Sequence, residues 1–335
     1  MRKEKNGGAN SILIIVWSSG ADPMGNFYLD IYADEVFHDK KWMYIGALFV
    51  PIHKKAELLN ELLNCRCIKR NSWNENSCLD PCGFHEKNNT EIHYKDVKSN
   101  NKFRIAQRWL KFLLETNNKE DRCLVYFNIL GLDLSKIDYK LFDPKNRKMS
   151  IYTRFFRTVL LGGIKYFFGG DVIINHIFHD KGQQQHYNLF SWQPAEKITM
   201  ENNIIINNKT IIFIDSDHRE ESSYNDESHF IQFLDIIMGS ICCCFHPPTN
   251  NNKLQLGETI RPLLVRLTKN PKNVNSSYHY YRKQEIQFFP KNKLKDEPHE
   301  MTLFNESLGS RSNNNFYTKR EILIKPHNQI TLDSW

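Results

Sequence analysis

The chain has 335 residues, of which 40% are hydrophobic and 25% are charged, and its formal net charge is +7. This composition excludes a disordered chain, because it supplies enough apolar side chains for a large core. It also argues against a membrane span, since the longest apolar run near the N-terminus, Ile12–Trp17, is far shorter than the ~20 residues that a spanning helix needs. No cleavable signal peptide is recognisable, and we therefore expect a cytoplasmic protein without a membrane partner.

The first predicted elements follow an N-terminal extension over residues 1–25, which is basic and contains Gly and Ser. Alternating apolar, β-branched and aromatic residues predict strands over Phe27–Val36 and Trp42–Pro51, and the polar turn between them indicates a β-hairpin. Apolar residues at helical spacing then predict helices over Lys54–Leu63 and Phe103–Glu115.

A polar insertion over residues 64–90, between these two helices, is rich in cysteine. Without a secretion signal, the eight cysteines of the chain indicate a reducing compartment rather than a disulfide framework. A tetrahedral zinc would supply folding energy to a short segment with little core of its own. The predicted zinc ligands are Cys65, Cys67, Cys78 and Cys82. The alternative is four thiols in a loop that binds no metal.

Strands and helices alternate in the next part of the chain. The predicted strands cover Cys123–Leu130, Asp171–His179 and Lys209–Asp215. The predicted helices cover Ser150–Phe168, with Ser150 as a cap, Gln183–Ile198 and Ser228–Phe245. Together with the hairpin, this order of elements is that of a ribonuclease H-like α/β fold, a mixed five-stranded sheet flanked by helices over residues 26–249.

The C-terminal segment, residues 250–335, is predicted to pack on this domain. A helix is predicted over Leu256–Leu267, and strand-like runs follow at Glu285–Pro290 and Arg320–Pro326.

Most of the net charge lies in this C-terminal segment. Residues 250–295 hold ten basic and two acidic residues, whereas the first 249 residues are close to neutrality. Aromatic side chains among positive charges are typical of a surface that neutralises phosphates and stacks on bases. We therefore predict nucleic-acid contacts by Tyr280, Arg282 and Lys283. The alternative is a solvated basic loop at a sheet edge.

Two aspartates in apolar elements are candidate site residues. Asp34 lies in the first strand and shares a face with Asp30 and Tyr32. A carboxylate in a sheet interior costs several kcal/mol unless it is compensated, so Asp34 is a predicted metal ligand. The alternative is an ion pair of Asp34 near the hairpin turn. Asp235 lies in a helix that is apolar nearly all round, three residues after Gln232, and the alternative there is a Gln–Asp pair bonded to backbone.

Two further acids follow strands. Asp180 ends the fourth strand, beside the first strand in the proposed order, and is predicted to converge with Asp34 and Asp235. Asp215 ends the fifth strand, where it either joins the site or caps the loop that follows. Glu35 is expected to point to the other face of the first strand.

A fourth carboxylate is expected from Glu91–Val97. An extended conformation there places Glu91, His93 and Lys95 on one face, a set able to ligate metal, move a proton and hold a phosphate. Ribonuclease H-like nucleases often carry a Glu on the helix predicted over Ser150–Phe168, which has no acid here. The alternatives are that His93 is a zinc ligand or that the segment is a plain surface strand.

Three or four converging carboxylates are the ligands expected for divalent metal. Hard oxygen ligands favour Mg²⁺ or Mn²⁺ over zinc. Two such ions about 4 Å apart would activate water and stabilise the leaving oxygen of a phosphodiester. The predicted ligands of these ions are Asp34, Asp180, Asp235 and Asp215, with Glu91 as a further catalytic acid.

Several short motifs, taken together in their order, resemble the family called domain of unknown function 3800. The likeness rests on Asp34-Glu35, Asp215-Ser216, Gln232-Phe-Leu-Asp235 and the runs YIGALFV, EIHYK and SSYHYYRKQEIQFFPK. It covers about residues 26–295 and departs from the family's Asp-Glu-Ser opening at Val36. The resemblance implies a ribonuclease H-like fold and a metal-dependent nuclease.

The sequence therefore predicts a nuclease that acts on RNA or DNA, with substrate contacts by Lys95 and Gln232 in addition to the basic segment. The alternative is a module of the same fold that binds nucleic acid or a protein partner without turnover. A third hypothesis is a metal-dependent phosphohydrolase of small nucleotides. A protein partner or a homo-oligomer is compatible with each of them.

Overall fold

Seven strands form one mixed sheet, and helices cover both of its faces. The structure is a computed structural model. It describes residues 27–67, 89–117, 124–142, 148–169, 172–200, 203–220, 222–269, 283–296 and 315–324. The strands are β1 (Phe27–His38), β2 (Trp42–Pro51), β3 (Tyr126–Asp133), β4 (Val172–Asp180), β5 (Ile204–Ile206), β6 (Ile212–Ile214) and β7 (Gln284–Phe289). The helices are α1 (Ile52–Asn64), α2 (Asn100–Asn117), α3 (Lys148–Phe168), α4 (Gln193–Thr199), α5 (Asn225–Phe245) and α6 (Asn251–Lys269).

The strand order of the sheet is β5-β4-β1-β2-β3-β7, and β6 pairs with the last part of β4. β1 and β2 form the predicted hairpin, and β3 continues antiparallel to β2. β4 lies parallel to β1, and β7 lies parallel to β3. The predicted α/β class, with a mixed sheet between helices, is therefore confirmed. The sheet has seven strands rather than five, because the short β5 and the C-terminal β7 also pair into it.

Two segments differ from the predicted conformation. Glu91–Val97 is not extended throughout, because a 3-10 turn forms at Tyr94–Asp96. The helix predicted over Gln183–Ile198 is divided into a 3-10 turn at Gln183–His186 and α4. Pro194 lies in the first turn of α4, where its missing N–H leaves no intrahelical bond unmade. The proline is therefore compatible with the start of α4.

Three smaller predictions are also corrected. Ser150 is not a cap, because it lies inside α3, two residues after the start of that helix. The strand predicted over Lys209–Asp215 is shorter, since the side chain of Asn208 first closes a turn. Only the first five residues of Arg320–Pro326 are described, and they are not a strand; the contact of this region with β7 is an isolated bridge at Tyr317.

The two sides of the sheet bury separate apolar layers. Alternation along β1 sends Tyr32 to the side of α1, α2, α5 and α6, and sends Ile31 to the side of α3 and α4. Trp109 and Phe233 are fully buried in the first layer, and Phe155 is fully buried in the second. Both faces of the sheet are therefore covered, which explains why its strands are apolar on both sides.

Helix α5 is long and apolar enough to cross a membrane by length and composition, but its apolar window is entirely buried in the protein. A helix that is apolar all round is expected in the centre of a core. It lies against β1 and β2, which places the one acid in its middle, Asp235, over the sheet.

Candidate active site

Asp34 and Asp180 lie beside each other on the parallel strands β1 and β4. The register pairs Tyr32 with Phe178, and their rings stack with centroids 5.2 Å apart. Because side chains alternate along a strand, the next position on this face brings Asp180 next to Asp34. The approach of these two carboxyl groups therefore follows from the strand register.

Asp235 comes from α5, and only 5% of its surface is exposed. Its Oδ2 accepts a hydrogen bond from the backbone N–H of Tyr94 at 2.6 Å and lies 3.2 Å from Nδ1 of His93. The ring of Tyr94 packs against Gly239, where an added Cβ would overlap the ring. The glycine one turn after Asp235 thus lets the 3-10 turn reach the helix and bond the carboxylate.

Gln232 is buried, and its side-chain amide holds two loops against α5. Its Oε1 accepts from Nη2 of Arg66 at 2.6 Å and from the backbone N–H of Ile92 at 3.0 Å. Its Nε2 donates to the carbonyl oxygen of Ser216 at 2.6 Å. Two donors face the oxygen and an acceptor faces the nitrogen, so the partners fix the amide orientation. In place of the predicted substrate contact, Gln232 has a positioning role, because its amide is fully used by protein groups.

The two loops held by Gln232 carry Glu91 and Asp215. The Oγ of Ser216 donates to Oε1 of Glu91 at 2.7 Å. Asp215 follows β6, which pairs with the end of β4. Burial raises the pKa of Asp180 to about 7, and the negative charge of Asp235 adds to this shift. Asp215 and Glu91 raise the same pKa, so five predicted acids lie within electrostatic reach of one another.

Among the described residues, the basic side chain closest to Asp34, Asp180 and Asp235 is that of His93, which lies 3.2 Å from Asp235. Burial raises the pKa of Asp34 well above its usual range, and Asp180 and Asp235 raise it further. Burial also raises the pKa of Asp235, although His93 and the Tyr94 N–H oppose this effect. Within the described part of the chain, no Lys or Arg forms an ion pair with Asp34, Asp180 or Asp235. The carboxylates therefore repel one another unless protons or a cation neutralise them.

Glu35 also lies in this region, although it was not among the predicted site residues. It points to the opposite face of β1, as alternation predicts, and accepts a hydrogen bond from Nε2 of Gln184. Its Oε2 lies 3.3 Å from the hydroxyl of Tyr152, which lies 2.6 Å from Nε2 of His179. Burial raises the pKa of Glu35 to about 7, and the charge of Asp180 adds to this. The signal in the sequence was its position directly after a predicted ligand.

Hard divalent cations fit the chemistry of these donors. Among the described residues, no three or more His, Cys, Asp and Glu side chains lie close enough together to hold a metal ion as they stand. The supporting observation is instead electrostatic: Asp34 and Asp180 are carboxylates whose raised pKa values reflect burial and uncompensated negative charge. A cation would replace the protons that otherwise neutralise them. Oxygen ligands of this kind favour Mg²⁺ or Mn²⁺.

The basic residues predicted to bind substrate differ in position. Lys95 is exposed on the 3-10 turn, and its charge acts on the pKa of Asp235. Lys283 directly precedes β7, which lies three strands from β1, or about 14 Å at the usual strand spacing. Lys283 is therefore not brought to the carboxylates. Residues outside the described part of the chain include Tyr280, Arg282 and the extension over residues 1–25.

Half of the predicted zinc site is described. Cys65 and Cys67 are buried at the end of α1. Cys78 and Cys82 lie outside the described residues. The zinc site therefore stays a prediction.

Comparison with known proteins leaves the family open, because the chain matches no family model and no curated protein with detectable similarity. The resemblance to the domain of unknown function 3800 family therefore rests on the short motifs alone.

Proposed function

We propose that the protein is a divalent-metal-dependent nuclease that hydrolyses phosphodiester bonds of RNA or DNA. The observation that carries this proposal is the pair of carboxylates on neighbouring strands, the buried Asp34 of β1 and the half-buried Asp180 of β4, which lie side by side without an ion-paired Lys or Arg from the described chain. The strand order supports a ribonuclease H-like fold, because three antiparallel strands are extended on the β1 side by the parallel β4.

Asp34, Asp180 and Asp235 would hold the ions, with Asp215 and Glu91 beside them. When bound, two Mg²⁺ or Mn²⁺ ions supply an activated water and charge stabilisation for the leaving oxygen. Neighbouring groups of the chain fix the positions of two of these acidic side chains. The Tyr94 N–H fixes one oxygen of Asp235, and Ser216 fixes one oxygen of Glu91.

His93 is placed to move a proton at this site. Its Nδ1 accepts a hydrogen bond from the backbone N–H of Lys95 at 3.2 Å and also lies 3.2 Å from Oδ2 of Asp235. Its Nε2 has no hydrogen-bond partner among the described residues, and about a quarter of the side chain is exposed. A histidine with a carboxylate next to one ring nitrogen and solvent next to the other can accept or donate a proton at the solvent-facing nitrogen. We assign His93 this role in protonating or deprotonating the oxygen of a bound substrate or water.

The test is cleavage of labelled single- and double-stranded RNA and DNA in Mg²⁺ or Mn²⁺. Wild type is compared with Asp34→Asn and Asp235→Asn, and Glu196→Gln on α4 is the matched control, since it removes an exposed charge from a helix on the other side of the sheet. We expect each aspartate variant to lose at least about 100-fold in cleavage rate, because each loses a ligand that carries charge. Thermal unfolding of every variant shows whether it is folded.

Each other outcome has a definite meaning. Equal cleavage by wild type and both aspartate variants would exclude the proposed site. Binding of nucleic acid by wild type without cleavage of any polymer would replace the nuclease by a binding module. Hydrolysis of nucleotides but of no polymer would make the protein a phosphohydrolase of small nucleotides.

A further inference from the structure

A lysine from the basic segment lies next to the candidate site. The Nζ of Lys253, in the first turn of α6, lies 4.6 Å from the centre of the Tyr94 ring. The same Tyr94 donates its backbone N–H to Asp235. An ammonium over an aromatic ring is attracted by the negative face of the ring. Lys253 therefore contacts the residue whose backbone N–H binds Asp235, a proposed metal ligand.

The start of α6 is fixed to the loop that follows the 3-10 turn. The side-chain amide of Asn252 donates to the carbonyl oxygens of Val97 and Lys98, at 3.2 and 3.0 Å. This pair of bonds keeps Lys253 and Lys98 close together. Burial lowers the pKa of Lys253 and the charge of Lys98 lowers it further, while Asp235 opposes both. Both a like charge and an opposite charge thus act on Lys253.

Three lysines of this region have no acidic partner. Within the described residues, Lys95, Lys98 and Lys253 form no ion pair. The nearby Lys102, by contrast, pairs with Asp96 at 3.3 Å. These lysines lie beside carboxylates that no Lys or Arg of the described chain pairs with, so the two kinds of charge can bind different parts of a ligand. We name Lys95, Lys98 and Lys253 the lysine rim.

We propose that the lysine rim binds a phosphate next to the one held at the carboxylates, so that the substrate is a nucleic-acid strand rather than a mononucleotide. This inference rests on the proposed function for the position of the reacting phosphate. A single nucleotide that placed its phosphate at the carboxylates would leave the rim empty. A strand presents a further phosphate on each side of the reacting one, and lysines bind such phosphates as point charges.

The test measures binding of a labelled single-stranded oligonucleotide as a function of salt. Every protein carries Asp34→Asn, so that cleavage does not interfere. The rim variant replaces Lys95, Lys98 and Lys253 with Gln, and Lys253→Arg alone is the conservative variant. The control is Lys140→Gln, at an exposed lysine in the second 3-10 turn after β3, Tyr139–Leu141.

Each phosphate contact contributes about 0.7 to the slope of log affinity against log salt for a single strand. We expect the rim variant to lower the magnitude of this slope by about 0.7, because the contact with one phosphate is lost, and Lys253→Arg and Lys140→Gln to leave it unchanged. An unchanged slope in the rim variant, or no binding of the oligonucleotide by any of these proteins, would overturn the inference.

This binding experiment, taken together with the cleavage assay of wild type, separates this inference from the proposed function, because binding needs no turnover. A reduced slope in the rim variant together with no cleavage by wild type would leave the rim in place and reject the nuclease. Cleavage of the polymer by wild type together with an unchanged slope would reject the rim alone.

Discussion

The two buried aspartates of β1 have opposite surroundings, although they share one face of one strand. Asp30 is 2% exposed and bonds Nζ of Lys55 at 2.7 Å and Nδ1 of His176 at 3.2 Å. Asp34, four residues later and 7% exposed, has Asp180 and Asp235 as its charged neighbours. The strand therefore carries one carboxylate that the protein neutralises and one that it does not.

We infer from this difference that Asp30 has a structural role and that Asp34 has the functional role proposed above. The protein supplies a cation for Asp30, so that removing the acid leaves Lys55 with one partner fewer. It supplies no lysine or arginine for Asp34 within the described residues, so the charge of Asp34 can be neutralised only by a proton or by a cation from solution. A local arrangement that lowers stability without a compensating contact is expected where a ligand binds.

The sharpest way to break this comparison is to remove each acid in turn in the absence of metal. We expect Asp30→Asn to lower the free energy of unfolding by about 2 kcal/mol, because Lys55 loses a buried partner. We expect Asp34→Asn to raise it at pH 8, because one of several repelling charges disappears. Urea unfolding in a metal chelator measures both. A loss for Asp34→Asn as large as that for Asp30→Asn would show that the two aspartates have the same role.

Divalent metal should stabilise the protein through Asp34 and not through Asp30. At about 100 times its dissociation constant, Mn²⁺ should stabilise the wild type by about 2.7 kcal/mol, and it should stabilise Asp30→Asn equally but not Asp34→Asn. The measurement is the shift of the thermal midpoint with Mn²⁺ concentration. Equal shifts in both variants would place the ion elsewhere.

The pH dependence of that stabilisation has a defined sign. The pKa values of Asp180 and Glu35 are raised to about 7, so the metal-free fold binds protons there that the unfolded chain releases from about pH 4 upward. This proton-linked stability is lost as the pH rises through about 7, and a cation replaces the protons. The stabilisation by Mn²⁺ should therefore increase between about pH 5 and pH 8. A constant shift over this range would contradict the assigned pKa values.

A smaller effect is expected at Gly239. A Cβ there would overlap the ring of Tyr94, so Gly239→Ala should cost about 1 kcal/mol despite the better helix propensity of Ala. It should also weaken the stabilisation by Mn²⁺, because the Tyr94 N–H moves away from Asp235. The control is Gly162→Ala in α3, where the nearest atom to an added Cβ is at an ordinary 3.4 Å. Equal losses of unfolding free energy in the two variants would show that overlap with the Tyr94 ring is not the cause.

Sequence patterns predicted those parts of the site that depend on periodicity. Alternation along β1 and the order of the strands placed Asp34 beside Asp180, and the apolar surroundings of Asp235 indicated a buried acid with a partner. The same alternation placed Glu35 on the other face. These are properties of single elements and of the connections between successive elements, so a local pattern carries them.

The remaining features depend on contacts between distant parts of the chain. The turn at Tyr94 forms where its ring meets Gly239, and no pattern around residue 94 contains that information. The pairing of β7 with β3 likewise joins segments far apart in sequence. Lys253 was one of ten basic residues in its segment, and only the packing of α6 on the loop distinguishes it. Such contacts override local preference.

The amide of Gln232 has a consequence for how this site tolerates change. From the two loops that it holds, it bonds two main-chain groups, the N–H of Ile92 and the carbonyl of Ser216, and one side chain, that of His218, whose Nδ1 lies 3.2 Å from its Nε2. The side chains of Ile92 and Ser216 can therefore vary in identity without loss of the two main-chain bonds. The amide itself cannot, because Glu would set an acceptor against the Ser216 carbonyl and Leu would leave the Ile92 N–H buried without an acceptor. Both loops thus share one anchor on α5, and the loops that carry Glu91 and Asp215 are positioned in part by a residue that is not an acid.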